Sequence, residues 1–155
     1  MERKRTYRII VVILSFFILI FIFVQFAMYG NMYDLSDETV LSDYAEVHHS
    51  ILYSSSILDH KELEANMFLF CGNGSICDIT ATQKATMELS HDHNWGKGKL
   101  LLENQESGEI SSISLNSGET EVIVNPGNYR VFLVGKWLGG KFTLKSDYIF
   151  FDVGR

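Results

Sequence analysis

The sequence predicts an all-β domain, a small antiparallel β-sandwich of about eight strands, preceded by an N-terminal transmembrane helix and a partly helical stalk. Three observations lead there. Ile9 to Met28 is twenty residues without charge, glycine or proline. From Met67 onward, short runs rich in β-branched and aromatic residues follow one another, separated by glycine, asparagine and serine at intervals of about 8–12 residues. The whole chain has 13% aromatic residues and a single proline, and this second part, rich in aromatics itself, has the composition of a packed domain rather than a disordered one.

The apolar stretch, as a helix, is about 30 Å long, the thickness of a bilayer's hydrocarbon core. Of its two polar residues, Ser15 can return its hydroxyl to the helix backbone and Gln25 lies near the far end. Arg3, Lys4, Arg5 and Arg8 against Glu2 give residues 1–8 a formal charge of +3, while Asp34, Asp37 and Glu38 follow the stretch. Basic flanks resist translocation, so the expected orientation has a cytoplasmic N-terminus and the C-terminal domain outside. A cleaved signal peptide is the competing reading. The apolar run is longer than the usual h-region of about 7–15 residues, no small-x-small site follows it, and no cysteine lies close enough for lipoprotein acylation. The expected division is a cytoplasmic tail over 1–8, a transmembrane helix over 9–29, a stalk over 30–65 and an extracytoplasmic sandwich over 66–155.

Charge excludes some partners. The total is −6, so with +3 in residues 1–8 the remainder carries −9. Nucleic-acid binding would need a basic stripe to displace counterions, and none is present.

In the stalk, Val40, Tyr44, Val47 and Ile51 recur at helical spacing, and Ser36 followed by Asp37 and Glu38 is a suitable helix start. An irregular tether is the alternative. Within the sandwich, Ile113 and Leu115 alternate with Ser112 and Ser114, and Phe142 and Leu144 alternate with Thr143 and Lys145. Trp137 falls in phase with Tyr129, Val131 and Leu133, which places it in the core. Leu100, Leu101 and Leu102 do not alternate, as in a strand buried on both sides. Pro126 and Gly127 suit the two central positions of a type II turn. Tyr129, just after it, is placed to tie its hydroxyl back to the backbone in the manner of a tyrosine corner.

Residues 96–145, from Gly96-Lys97-Gly98-Lys99-Leu100-Leu101-Leu102 through Ser117-Gly118-Glu119-Thr120 to Pro126-Gly127-Asn128-Tyr129-Arg130-Val131 and Gly140-Lys141-Phe142-Thr143-Leu144, resemble small extracytoplasmic β-sandwich modules of uncharacterised membrane-anchored proteins and lipoproteins from Gram-positive bacteria. The resemblance implies fold and location, namely the cell membrane of such a bacterium, and no substrate.

Candidate chemistry is sparse. Cys71 and Cys77 bracket Gly72-Asn73-Gly74-Ser75-Ile76, which reads as a hairpin tip, so facing positions would allow a structural disulfide. Buried free thiols, a metal pair and a redox couple are the alternatives. Asn73-Gly74-Ser75 is a formal glycosylation sequon. His91 and His93, two apart on a strand, would aim both imidazoles at one metal ion; a solvated loop is the plainer reading. Trp95 is a candidate aromatic platform for glycans, and Glu119 with Glu121 shares a strand face. There is no G-x-S-x-G elbow, H-E-x-x-H, phosphate-binding glycine loop or calcium loop, and no cofactor is implied. The expectation is a non-catalytic, single-pass protein acting through binding or assembly, with the bilayer and another membrane or cell-wall component as partners. A wall-associated glycan- or metal-binding module and a small subunit of a membrane complex are the alternatives.

Overall fold

The computed structural model describes residues 2–43, 46–115 and 118–152, with side chains for all of these except residues 2–6, 93 and 94. The chain begins with one continuous helix, α1 (Glu2–Gly30), which leads into a 3-10 turn (Asn31–Asp34) and the short helix α2 (Asp37–Asp43). Among the described residues eight strands follow: β1 (His48–His49), β2 (Leu52–Leu58), β3 (Glu62–Ala81), β4 (Ala85–Asn104), β5 (Ile110–Ser114), β6 (Gly118–Val124), β7 (Gly127–Lys145) and β8 (Ile149–Asp152). Every pairing is antiparallel. The domain is an all-β sandwich behind an apolar helix.

The two layers are one hydrogen-bonded sheet folded on itself. β3, β4 and β7 are 20, 20 and 19 residues long, several times the usual strand. Each bends near its middle, where the register slips between Met67 and Gly72 of β3 and between His93 and Lys97 of β4. Such bulges bend strands and re-aim their side chains. On one side of the bends, β2, the first half of β3, the second half of β7, the first half of β4 and β6 form the first layer. On the other side, the second half of β3, the first half of β7 and the second half of β4, with β1, β5 and β8, form the second layer. Leu63, Met87, Leu89, Phe142 and Leu144 of the first layer meet Ile79, Leu100, Val131, Leu133 and Phe151 of the second in one core.

Residues 30–65, expected as a stalk, do not stand apart from this sandwich. β1, β2 and the start of β3 are part of the sheet. Helix α2 lies on the second layer: Val40, fully buried, sits with Leu101, Phe132 and Val134, flanked by Tyr33 and Leu41. The Ser36 hydroxyl caps α2 by accepting from the Thr39 amide at 3.3 Å. The helix ends at Asp43; Tyr44 lies outside the described residues, Val47 is not helical and Ile51 is exposed before β2. Of the periodic residues, Val40 alone lies in the seven-residue helix, while Val47 and Ile51 fall in the connections that flank β1. The Lys99 ammonium fixes the covering segment by pairing with Asp37 at 2.5 Å and lying over the Tyr33 ring at 5.3 Å.

The segment read as a hairpin tip is instead the middle of β3. Gly72 and Gly74 are there because β1 crosses them: a Cβ on Gly72, whose φ is +109°, would lie 2.2 Å from the Val47 carbonyl oxygen, and one on Gly74 would lie 2.9 Å from His48 Nδ1. Cys71 and Cys77 therefore occupy one continuous strand. At about 3.3 Å per residue their separation far exceeds the about 7 Å that a disulfide's Cα atoms span. Both are buried free thiols. Glycines forced by a crossing strand carry the same letters as glycines of a turn.

Trp137 also departs from the phase of its strand. Its φ of +56° breaks the alternation, and Leu138 takes the core position with no exposure. The indole turns outward and stacks on Phe23 and Phe26 of α1, at ring-centroid distances of 5.5 and 5.8 Å.

Candidate functional site

The two layers differ in what covers them. The second layer's outer face is roofed by the 3-10 turn and α2. The first layer's outer face is open, and the alternation along its strands decides what it shows. Ala85, Met87, Leu89 and His91 point inward from β4, while Thr86, Glu88, Ser90 and Asp92 point out. From β7 Phe142 and Leu144 point in, while Lys141, Thr143 and Lys145 point out.

At the bend end of this open face lies a groove of about 480 Å³. Trp95 and Phe68 form its aromatic wall, edge to face at 5.2 Å with planes at 88°. Both are exposed, at 38% and 41%, and Leu52 on the rim at 68%. The indole is positioned by the strand opposite. Trp95 pairs with Gly139, and a Cβ there would come within 2.4 Å of the indole Cε2, so the ring lies against bare backbone that only glycine provides. Polar groups line the same groove. Asp92, Asn66 and Lys141 face it, and the Lys141 ammonium pairs with Glu64 at 2.6 Å while the Asn66 amide donates to Glu64 Oε1 at 3.1 Å. The hydrogen bond from Lys141, reinforced by Asn66, holds the Glu64 carboxyl below the usual carboxylate range. An apolar wall edged by a few polar groups is the general make-up of a small-molecule pocket. A second hollow of about 460 Å³ on the same face is lined by Glu88, Glu119, Glu121 and Lys145.

The other sequence candidates fall elsewhere. His91 is 3% exposed and inward-facing, across from Phe142; the His93 side chain lies outside the described residues. Among the described residues, no group of three or more histidine, cysteine or acidic side chains is placed to hold a metal. Cys77 is deep in the core, and burial pushes its thiol up to about 12; burial also raises the thiol of Cys71, which accepts from the Trp137 amide at 3.2 Å. Asn73 of the sequon is fully buried, its amide donating to the Val40 carbonyl at 3.4 Å. Tyr129 donates its hydroxyl to the Asn125 carbonyl at 3.1 Å. Gly127 opens β7 at a φ of +151°, where a Cβ would crowd Asn104 Nδ2 at 3.1 Å and Tyr129 Cε2 at 3.3 Å. Pro126 sits at the bend just before it.

Sequence reasoning singled out Trp95 but missed Phe68, Leu52, Asn66 and Lys141. Phe68 sits in a run, Met67-Phe68-Leu69-Phe70, whose apolar letters give no hint that one ring faces out. The exposed hydrophobic Leu52 reads the same as a core residue.

Helix α1 completes the description. It includes one segment, Tyr7–Asp34 with its adjoining turn, long and apolar enough to cross a membrane, with only 6% of its most apolar window buried in the protein. The Ser15 hydroxyl donates to the Val11 carbonyl at 2.9 Å.

No family model matches the chain, and no curated protein does. Among solved structures it is similar to a family two carbohydrate esterase from Cellvibrio japonicus, at 19% identity and a TM-score of 0.37, over 69% of this chain and 34% of that one. The chain thus spans about a third of that protein's length. It is also similar to BiXyn10A CBM1 in its apo form, at 10% identity and a TM-score of 0.35 over 72% of this chain and all of that one. A mutant of a carbohydrate binding module family 29 is similar at 12% identity and a TM-score of 0.33, over 72% of this chain and 83% of that one. Likeness at these scores carries no argument about activity.

Proposed function

We propose that this chain is a single-pass, N-terminally anchored membrane protein whose β-sandwich stands outside the membrane and works by binding rather than catalysis. One observation supports the anchoring: the isoleucine, leucine and phenylalanine side chains of α1 between Ile9 and Val24 are exposed on every side, an apolar surface of the length and make-up that a bilayer's hydrocarbon core takes up. The basic residues at its start set the orientation. Protease treatment of intact cells tests this reading. Loss of the C-terminal domain, with a membrane-protected N-terminal fragment left behind, is the expected result; a domain that resists until the membrane is breached overturns it.

The ligand reading is a glycan of the cell surface, held at the Trp95 groove. Sugar rings present C–H faces to an indole and hydroxyls to carboxylates, amides and ammonium groups, and the groove offers Trp95 with Phe68 beside Asp92, Asn66 and Lys141. Retardation of the purified protein in gels containing soluble polysaccharides, abolished by Trp95→Ala, is expected. Retardation unchanged by that substitution would place sugar binding elsewhere.

A further inference from the structure

Resting on the membrane reading above, we infer that the corner of the sandwich carrying Trp137 sits in the headgroup layer of the bilayer, so that the domain touches lipid through a surface of its own as well as through α1.

The level of the corner along α1 is the first reason. Phe23 and Phe26, which stack on the Trp137 ring with planes at 28° and 20°, both belong to the apolar stretch that ends at Met28. Phe23 precedes Met28 by five residues, about 7.5 Å of helix. A side chain of the sandwich stacked at that level lies beside the last turns of the span, where hydrocarbon gives way to headgroups. The helix is also held there. Tyr29 meets the His49 ring edge-on at 4.2 Å, and the Lys136 ammonium pairs with Asp34 at 2.5 Å. Gly30 is buried where a Cβ would lie 3.4 Å from Lys136 Cγ. A flexible tether would let the domain drift away from the bilayer; these contacts do not.

The chemistry of the corner is the second reason. Bulges and a left-handed backbone place the indole outside the sheet, a strained conformation for a non-glycine residue and one that the core does not need, since Leu138 fills it. Beside the indole, Lys97 and Lys136 face each other as a cross-strand pair. Like charges in that position repel, and one carboxylate, Asp34, pairs with Lys136. Tryptophan flanked by lysine is the pairing favoured at a membrane interface, the ring among headgroups and the cations on phosphate. With Lys136 paired to Asp34, Lys97 leaves this corner one net positive charge from the groups named, on a domain whose overall charge is acidic.

The chain has two tryptophans, which makes the test direct. Full-length Trp95→Phe protein, with Trp137 as its sole indole, is reconstituted into vesicles of phosphatidylcholine and phosphatidylglycerol brominated at a shallow acyl position, and only protein that floats with the vesicles is read. The inference predicts loss of most Trp137 emission and a blue shift, with Trp137→Phe protein, reporting on Trp95, quenched much less. Lys97→Glu in the Trp95→Phe background should weaken the quenching. Full Trp137 emission in co-floating vesicles overturns the inference and leaves the anchor intact; failure to float overturns the anchor itself.

Discussion

The two outer faces of the sandwich are built from the same three long strands and end up opposite in character. On the second layer, Leu101, Phe132 and Val134 point away from the core and are nonetheless buried, because Val40, Tyr33 and Leu41 cover them. On the first layer, the equivalent positions are Glu88, Ser90, Asp92 and Lys141, exposed to solvent, and Thr143, half-exposed between them. The segment between α1 and the sheet roofs one face and leaves the other open. It also explains the runs that do not alternate. Leu100-Leu101-Leu102 and Val131-Phe132-Leu133-Val134 are apolar throughout because both sides of the second layer are covered.

The largest effect that would break the comparison comes from matched truncations. Phe132→Ala on the roofed face should cost about 3–5 kcal/mol in denaturant unfolding, whereas Phe68→Ala on the open face should lose about 1 kcal/mol, the worth of its pairing with Trp95. Equal losses would mean that the roof does not pack as described. Leu101→Ala should cost about 2–5 kcal/mol, matching Leu100→Ala, although strict alternation would put one of the two in solvent.

The thiols sharpen the contrast differently. With both cysteines free, reductant should leave the melting temperature unchanged. Cys77 stays protonated in the folded state up to about 12, while in the unfolded chain it ionises near 8.5. Its folded pKa is raised, so its contribution is complete below pH 8.5 and is lost as pH climbs toward 12. By pH 10 the loss should reach about 2 kcal/mol, and Cys77→Ala should flatten that part of the stability profile. A loss that persists undiminished in the variant would assign it to other groups. The smallest effects are electrostatic. Lys99→Met, which removes the pairing of the roof with Asp37, should cost about 1–2 kcal/mol; Lys141→Met on the open face should cost less than about 1 kcal/mol, and both are read by the shift in the denaturation midpoint.

How much of this was legible in the sequence follows from which interactions are local. The apolar helix and the alternating strands were, since Phe142 and Leu144 against Thr143 and Lys145 state their faces outright. So was the hidden character of Leu100 to Leu102, although not what hides it. Long strands that bend were not legible: the bends rest on bulges at Leu69, Gly96 and Trp137, set by tertiary packing. That is why Trp137 left the phase of Val131 and Leu133, while Gly72 and Gly74 read as a turn because the close passage of His48 that requires them is equally a tertiary contact. At the groove, Trp95 stood out as an isolated aromatic among loop-like letters. Gly139 beneath it and Phe68 beside it come from strands distant in sequence, joined only by the register.

The most direct measurement of the roofed and open faces is thiol accessibility. Single cysteines placed by Val134→Cys under the roof and by Thr143→Cys on the open face, in chains whose own two cysteines are replaced by alanine, are reacted with a maleimide under native conditions. The account predicts prompt labelling at position 143 and labelling at position 134 only after denaturation. Equal native labelling at the two positions would contradict it.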